Sequence, residues 1–461
     1  MNRLITAVVV VLTLLSSQSL CQIPRYELGK RVKRFERSFE PMLADDSVRK
    51  QVLPHLQAAV SGFFTLRATD ACRELDEASL KLSQGQSPSL AMLALLLEPE
   101  RRLIGSDATE LLVKIRPMYG EPPVKSTTVQ VMLVAPDGTT SAKQAAATND
   151  ESVKLEFKSL PEGDYTLVSQ IGQFPLTKTQ QTISVVRDVG LRLSKLESAA
   201  KENDPDRTKP LTGYVRDWSR RVRSLQKNRK PETDIPAHAL LVQLETWMRT
   251  GKPVLRASNS RMVLAAGRKT LACRVRLCDG ALEGKAKPVV IALHGAGGSE
   301  SMFYETYGAG KVVDLCEKRD WVLVCPRISS FLGLTLSAEE MLQSLERQGV
   351  SIDCEMVFVV GHSTGVGAAM SLARQETKLT AIAALGGGGS SAVSKQNSGT
   401  PFYVAAGDQD FGRTGAAGLA RGLKRRGVEA QFHTFKNTEH LGIVQIALDD
   451  VFSFFDDAVE K

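Results

Sequence analysis

The stretch Val359 to Gly367, VVGHSTGVG, constrains this chain more than any other. Met356 to Val360 is an almost unbroken apolar run, the signature of a strand buried on both faces. Gly361-His362-Ser363-Thr364-Gly365 then matches G-x-S-x-G, and an alanine-rich, helix-like segment follows from Val366 to Arg374. Strand, tight glycine turn and helix in that order give the motif its meaning, because the serine is pushed out of the backbone on a strained turn. The glycines stand where side chains would clash as strand and helix cross.

A serine hydroxyl needs a base to take its proton and donors to hold an oxyanion. The chain has only 6 histidines. His55 lies in a helical region, His238 in a charged stretch, His294 before a glycine loop and His433 in an alternating strand. His362 is inside the turn and should point away from its neighbour's hydroxyl. His440 remains, in the polar loop Asn437-Thr438-Glu439-His440 between the last strand and the last helix, where catalytic groups can converge. An acid that orients this histidine should lie between Ser363 and His440 in the chain. Gly407-Asp408-Gln409-Asp410 follows the strand Phe402 to Ala406, and the residues alone leave Asp408 and Asp410 both open. Oxyanion donors are expected from the backbone amides of Ala296, in Leu293-His294-Gly295-Ala296-Gly297-Gly298, and of Thr364. A phosphate loop is excluded there, since its lysine is missing and the spacing is wrong.

HGAGG, GHSTG, GDQD and the late Glu439-His440 occur in the order found in α/β-hydrolases, and residues 255–461 resemble that superfamily. The likeness is to polyhydroxybutyrate depolymerases, feruloyl esterases and dienelactone hydrolases, and prolyl-oligopeptidase catalytic domains are similar too. The resemblance implies an α/β fold, cleavage of carboxylic esters by an acyl-enzyme route, Asp410 as the acid of a G-x-x-D pattern, and neither metal nor organic cofactor. The expected partner is an ester, with polymeric esters among the candidates. Thr364 departs from the Met, Gln or Ala of many relatives. A peptidase of the prolyl-oligopeptidase type has the same triad, but the front of the chain lacks repeated propeller blades. A binding protein with an inactive hydrolase domain is the other alternative, against which the intact set Ser363, Asp410 and His440 speaks. Only Ser390 to Thr400 separates Gly386-Gly387-Gly388-Gly389 from the next strand, too little for a helical cap. The site is expected to be open unless the amino-terminal regions fold over it.

Those regions read differently. Met1-Asn2-Arg3, the apolar run Leu4 to Leu15 and the serines after it read as a signal peptide over residues 1–21, and so as export to the periplasm or the medium. Gln18-Ser19-Leu20 before Cys21 fits a lipobox poorly, and no later stretch is apolar for long enough to span a membrane. Residues 22–106 show helical periodicity. Residues 107–190 alternate, with turn signals at Asp137-Gly138 and Glu162-Gly163-Asp164, and predict a small immunoglobulin-like β-sandwich whose Tyr165 bonds back to a corner. Residues 191–254 are charged and helical and read as a linker with a solvated basic face. The net charge of +8 is spread along the chain, and nucleic acid is not an expected partner. The 6 cysteines beyond Cys21 show no CxxC and no zinc spacing; disulfides or buried thiols both fit an exported chain.

Overall fold

The computed structural model describes residues 22–83, 94–119, 127–148, 150–172, 174–175, 180–204, 209–227, 234–329 and 333–460; the leader expected over 1–21 lies outside them. The chain opens with helices α1 (Gln22–Phe39), α2 (Asp46–Phe64) and α3 (Ala68–Leu82). Apolar residues three or four apart line one face of each. Val32, Phe35, Val52, Leu56, Ala71 and Leu75 thereby share one buried cluster.

An ionic knot ties α1 to α3. The Arg31 side chain is wholly buried, with Nε 3.0 Å from Asp76 and Nη1 2.7 Å from Glu27. Asp76, wholly buried as well, also accepts from Arg34 at 2.7 Å and from the Tyr119 hydroxyl at 2.6 Å. Removing one partner of such a network strands the others in a medium that solvates them poorly. Asp76→Ala is therefore expected to cost about 3–5 kcal/mol of unfolding free energy. Urea titration checks this, and a loss under about 1 kcal/mol, the size of an exposed pair, would show the knot to be dispensable.

Nine strands follow: β1 (Leu95–Pro99), β2 (Leu103–Ile104), β3 (Glu110–Pro117), β4 (Thr128–Val134), β5 (Thr140–Ala147), β6 (Ser152–Glu156), β7 (Gly163–Ile171), β8 (Phe174–Pro175) and β9 (Gln181–Val185). They make a sheet β1-β3-β6 and a sheet β2-β9-β7-β4-β5, with β8 on β7. Alternate residues such as Leu111, Val113, Val129, Val131 and Leu167 fill one core between the two. Tyr165 donates to the Pro161 carbonyl at 3.1 Å, the corner bond read from the sequence. Two strands, Leu95–Pro99 and Leu103–Ile104, fall within the residues read as helical. A short apolar run cannot be told from a helix segment by periodicity alone. Thr140–Ala147, rich in Ala, Lys and Gln, has helical propensity, and pairing with β4 overrides it.

Residues 191–254 are not a free linker. They form α4 (Val189–Asn203, which begins just before 191), α5 (Pro210–Gln226) and α6 (Ala237–Thr250). Trp218, Val222, Leu240 and Leu244 share a core with Met262, Leu264 and Leu271 of the next two strands. Of the charged residues, Arg220 sits on the other face at 73% exposure, whereas Arg221 turns inward and pairs with the buried Glu300 at 2.6 Å. Apolar spacing, rather than charge content, decided where these helices packed.

The remaining strands are β10 (Ser258–Ala266), β11 (Lys269–Leu277), β12 (Lys287–Leu293), β13 (Val322–Pro326), β14 (Ile352–His362), β15 (Ala381–Leu385), β16 (Phe402–Gly407) and β17 (Ala430–Phe435). Their order is β10-β11-β13-β12-β14-β15-β16-β17, antiparallel at β10–β11 and β11–β13 and parallel from there on. Helices α7 (Lys311–Lys318), α8 (Ala338–Arg347), α9 (Thr364–Ala373), α10 (Arg413–Arg425) and α11 (Gly442–Val459) connect the strands or close the chain. α8 opens with the Ser337–Glu340 capping box. Val289, Ile291, Val357 and Val359 face one core, and Val290, Ala292, Phe358 and Val360 the other. Both faces are covered, which is why these strands read as continuous apolar runs. Among the described residues no helix is long and apolar enough to cross a membrane. Cys72, Cys273, Cys278, Cys316 and Cys325 are buried thiols, Cys354 is exposed, and none of them is in a disulfide.

Candidate active site

The turn between β14 and α9 is built as its sequence requires. Ser363 has φ 56° and ψ −120°, a conformation that side chains rarely adopt and that tight packing must hold. A Cβ on Gly361 would lie 2.6 Å from the Gly365 carbonyl oxygen, and one on Gly365 would collide with the Leu293 carbonyl oxygen. Only glycine fits at either place. Ser363 caps the parallel sheet at the carboxyl end of β14, and the sheet runs in the order first-second-fourth-third-fifth-sixth-seventh-eighth with only the second strand reversed.

This is the α/β-hydrolase fold.

Three of the residues singled out in the sequence meet at this turn. His440 Nε2 lies 2.9 Å from Ser363 Oγ, and His440 Nδ1 lies 2.8 Å from Asp410 Oδ1. Asp410, buried at the loop after β16, also accepts from the Gly412 N–H at 2.6 Å. Asp408, the other carboxylate of that loop, instead accepts from the Thr438 N–H at 3.3 Å. Ala296 lines the cavity at Ser363, and Thr364 is the first residue of α9. The other histidines lie elsewhere or serve the frame. His55 bonds Glu74 at 2.8 Å, His238 opens α6, and His433 stacks on Tyr403 at 4.5 Å. His294 binds the Gly295 carbonyl through Nδ1 at 2.8 Å and accepts from the Ile328 N–H at 3.0 Å, which fixes the glycine loop. The glycine run after β15 is not a linker: a Cβ on Gly387 would collide with the Ser363 carbonyl oxygen.

His362 does point away from Ser363, and it holds His440 in place. Its Nε2–H donates to the His440 carbonyl at 2.9 Å, while its Nδ1 accepts from the Tyr307 hydroxyl at 2.9 Å. Burial, and next the neighbouring His440, hold His362 far below the usual histidine range, so it stays neutral. The unfolded chain therefore takes up a proton at His362 that the folded chain refuses. This contribution to stability is complete above a pH of about 6.5 and declines as pH falls below it. Tyr307→Phe leaves the buried Nδ1 without its donor, and an expected loss of about 1–3 kcal/mol would appear as a lower melting temperature. Glu439 shapes the same corner. Burial pushes its carboxyl up to about 6, although it accepts from the Leu441 and Gly442 N–H groups at 2.8 and 2.7 Å, at the start of α11.

The amino-terminal helices fold over the site. Helices α1 to α3 line, together with Ser363 and His440, a partly covered cavity of about 120 Å³. Leu28, Val32, Val60, Phe63 and Phe64 come from these helices, and Gly295, Ala296 and Gly297 from the loop below. A Cβ on Gly297 would lie 2.7 Å from the Phe63 ring, so glycine lets the ring close down on the loop. Phe64 and Phe411 pack edge to face at 5.2 Å, and Phe411 lies 4.0 Å from the His440 ring. Nothing in the residues marked Tyr307, Phe64 or Phe411 for this place; each gains its role through a contact distant in sequence.

No protein-family model and no curated protein sequence matches the chain. Among solved structures it is similar to a ferulic acid esterase from Anaeromyces mucronatus, with 13% identity over 45% of this chain and 93% of that one and a TM-score of 0.36. An S-formylglutathione hydrolase from Staphylococcus aureus matches with 12% identity over 44% of this chain and 99% of that one, TM-score 0.35. Esterase PE8 matches with 20% identity over 41% and 99%, TM-score 0.32. The strand order and the Ser363 turn, not these likenesses, make the fold an α/β-hydrolase one.

Proposed function

We propose that this protein is an exported serine hydrolase that cleaves carboxylic esters through an acyl-enzyme. The observation that carries the reading is the relay from Ser363 through His440 to Asp410, at 2.9 and 2.8 Å. Ser363 Oγ attacks the ester carbonyl as His440 Nε2 takes its proton. The N–H groups of Ala296 and Thr364 receive the oxyanion, and Asp410 stays ionised and stabilises the imidazolium. His440 passes the proton to the departing alcohol as the carbon–oxygen bond breaks. Water, deprotonated by the same nitrogen, then releases the acid and restores Ser363. Export follows from the leader-like sequence at residues 1–21.

A fluorophosphonate probe tests the reading, because it forms a covalent bond only with an activated serine. Labelling of the native chain and none of Ser363→Ala is expected. Equal labelling of both would move the nucleophile elsewhere, and no labelling of either would make the protein a binder. A panel of aryl esters and peptide amides under the same conditions separates esterase from peptidase.

A further inference from the structure

The apolar cavity at Ser363 has a neighbour. A cleft of about 370 Å³ lies beyond Gly297 and Gly298, between α1 and the segment Ser299 to Thr306. The two share Gly29, Gly297, Gly298, Met302 and Thr306 as walls. A Cβ on Gly29 would meet nothing within 4 Å, so there is open space beside α1 where cavity and cleft adjoin.

Their chemistry differs. Lys30, Lys33, Arg34 and Arg37 line the cleft, facing Asp234 and Glu305. Arg34 is engaged by Asp76 at 2.7 Å and Lys33 by Glu305 at 3.3 Å. Among the described residues Lys30 and Arg37 make no ion pair within 4.0 Å. The Lys30 amine is folded back over the Tyr26 ring, 4.4 Å from its centre, and no described residue hydrogen-bonds it. Burial pushes its pKa down to about 8. A buried cation without a bonded partner gains from an anion brought to it, and its flexible stem can turn the amine into the cleft. Neither Ser363 nor His440 is a wall of the cleft. The leaving alcohol must stay beside His440 to receive its proton. What reaches past the glycine loop is then the far end of the acyl group.

We propose that cavity and cleft form one channel for the acyl group, and that it takes chains that are apolar next to the ester carbonyl and end in an anion, a carboxylate or a phosphate. This rests on the ester-hydrolase reading above.

The test compares 4-nitrophenyl half-esters of dicarboxylic acids, adipic to sebacic, with the same compounds capped as methyl esters. The leaving group is constant, so the ratio of kcat/KM for charged over capped acyl chains isolates the terminal charge. A charge-assisted contact predicts a ratio of about ten or more at one chain length, weakening as salt is added. The ratio should collapse towards one in Lys30→Met combined with Arg37→Gln, and in Gly29→Phe, which fills the space between the compartments. Methionine replaces an unbonded buried amine by an apolar chain of similar length, and melting curves identify any variant that fails to fold. ω-Phosphono chains of the same lengths distinguish phosphate from carboxylate. A native ratio near one at every length overturns the proposal, as does a ratio unchanged in both variants, or a preference for charge on the alcohol instead. If the native chain hydrolyses no ester, the function reading falls, and calorimetry with free sebacate decides the channel separately. Binding to the native chain but not to the double variant sustains it; equal binding, or none, overturns it.

Discussion

Ser363→Ala is expected to lower turnover of an activated ester by on the order of a millionfold, with the melting temperature nearly unchanged. The size follows from what the hydroxyl does. With Oγ gone, His440 Nε2 has no proton to take at 2.9 Å, and water must attack from a position that the turn was not built to hold. The oxyanion amides remain, so some rate above the uncatalysed one should persist. Folding should change little, because alanine inherits the same strained backbone at φ 56° and buries no new polar group. Stopped assays over hours, with protein from a host lacking esterases, give the sensitivity needed. Activity above about a tenth of the native value, far more than nucleophile loss allows, would remove Ser363 from the mechanism.

Much of this site was legible because its determinants are local. Gly361 and Gly365 are required by contacts within one turn and by the strand beside it, so G-x-S-x-G carries its own geometry. The strands around it were legible because burial on both faces leaves an unbroken apolar run, as in Val357 to Val360. His440 emerged by elimination among few histidines, and its loop at a strand end suited the task. Between the two aspartates the residues gave no physical preference, since both follow β16 and both suit a turn.

The cover over the site was not legible, and the reason is physical. Phe63 and Phe64 end an amphipathic helix whose stripe predicts burial but not against what. Their contacts with Gly297 and Phe411 span most of the chain, and no local pattern encodes such a pairing. The tie between cover and core is equally remote in sequence. Gln445 of α11 donates to the Glu36 carbonyl at 2.7 Å, and Lys311 binds Glu40 at 2.7 Å. No local pattern marks Arg31 and Asp76 for burial, and packing leaves both side chains wholly buried. The helices over 191–254 were misread for the opposite reason. Their apolar spacing at Trp218, Val222 and Leu225 was present in the sequence, but the many arginines between these residues carry a charge pattern that suits solvent, although Arg221 is buried against Glu300.

Asp410→Asn is expected to cripple catalysis, by roughly ten-thousandfold in turnover, while Asp408→Asn leaves most of it. Asp410 Oδ1 accepts from His440 Nδ1 and from the Gly412 N–H, so it fixes both the ring and its own loop. An asparagine can meet only part of this. With its amide nitrogen towards His440 it holds the wrong tautomer and turns a donor on the Gly412 N–H. With its oxygen there it keeps the geometry but lacks the negative charge that stabilises the imidazolium. Asp408 is differently placed, since its one long contact, 3.3 Å to the Thr438 N–H, is one that an amide oxygen can also accept. Its replacement should cost under about 1 kcal/mol, the worth of a weak neutral hydrogen bond. Turnover and thermal melting of both variants, measured side by side, decide between the two carboxylates. If Asp408→Asn shows the large loss and Asp410→Asn does not, the carboxylate that serves His440 during turnover is Asp408, and the loop after β16 must rearrange to bring it there.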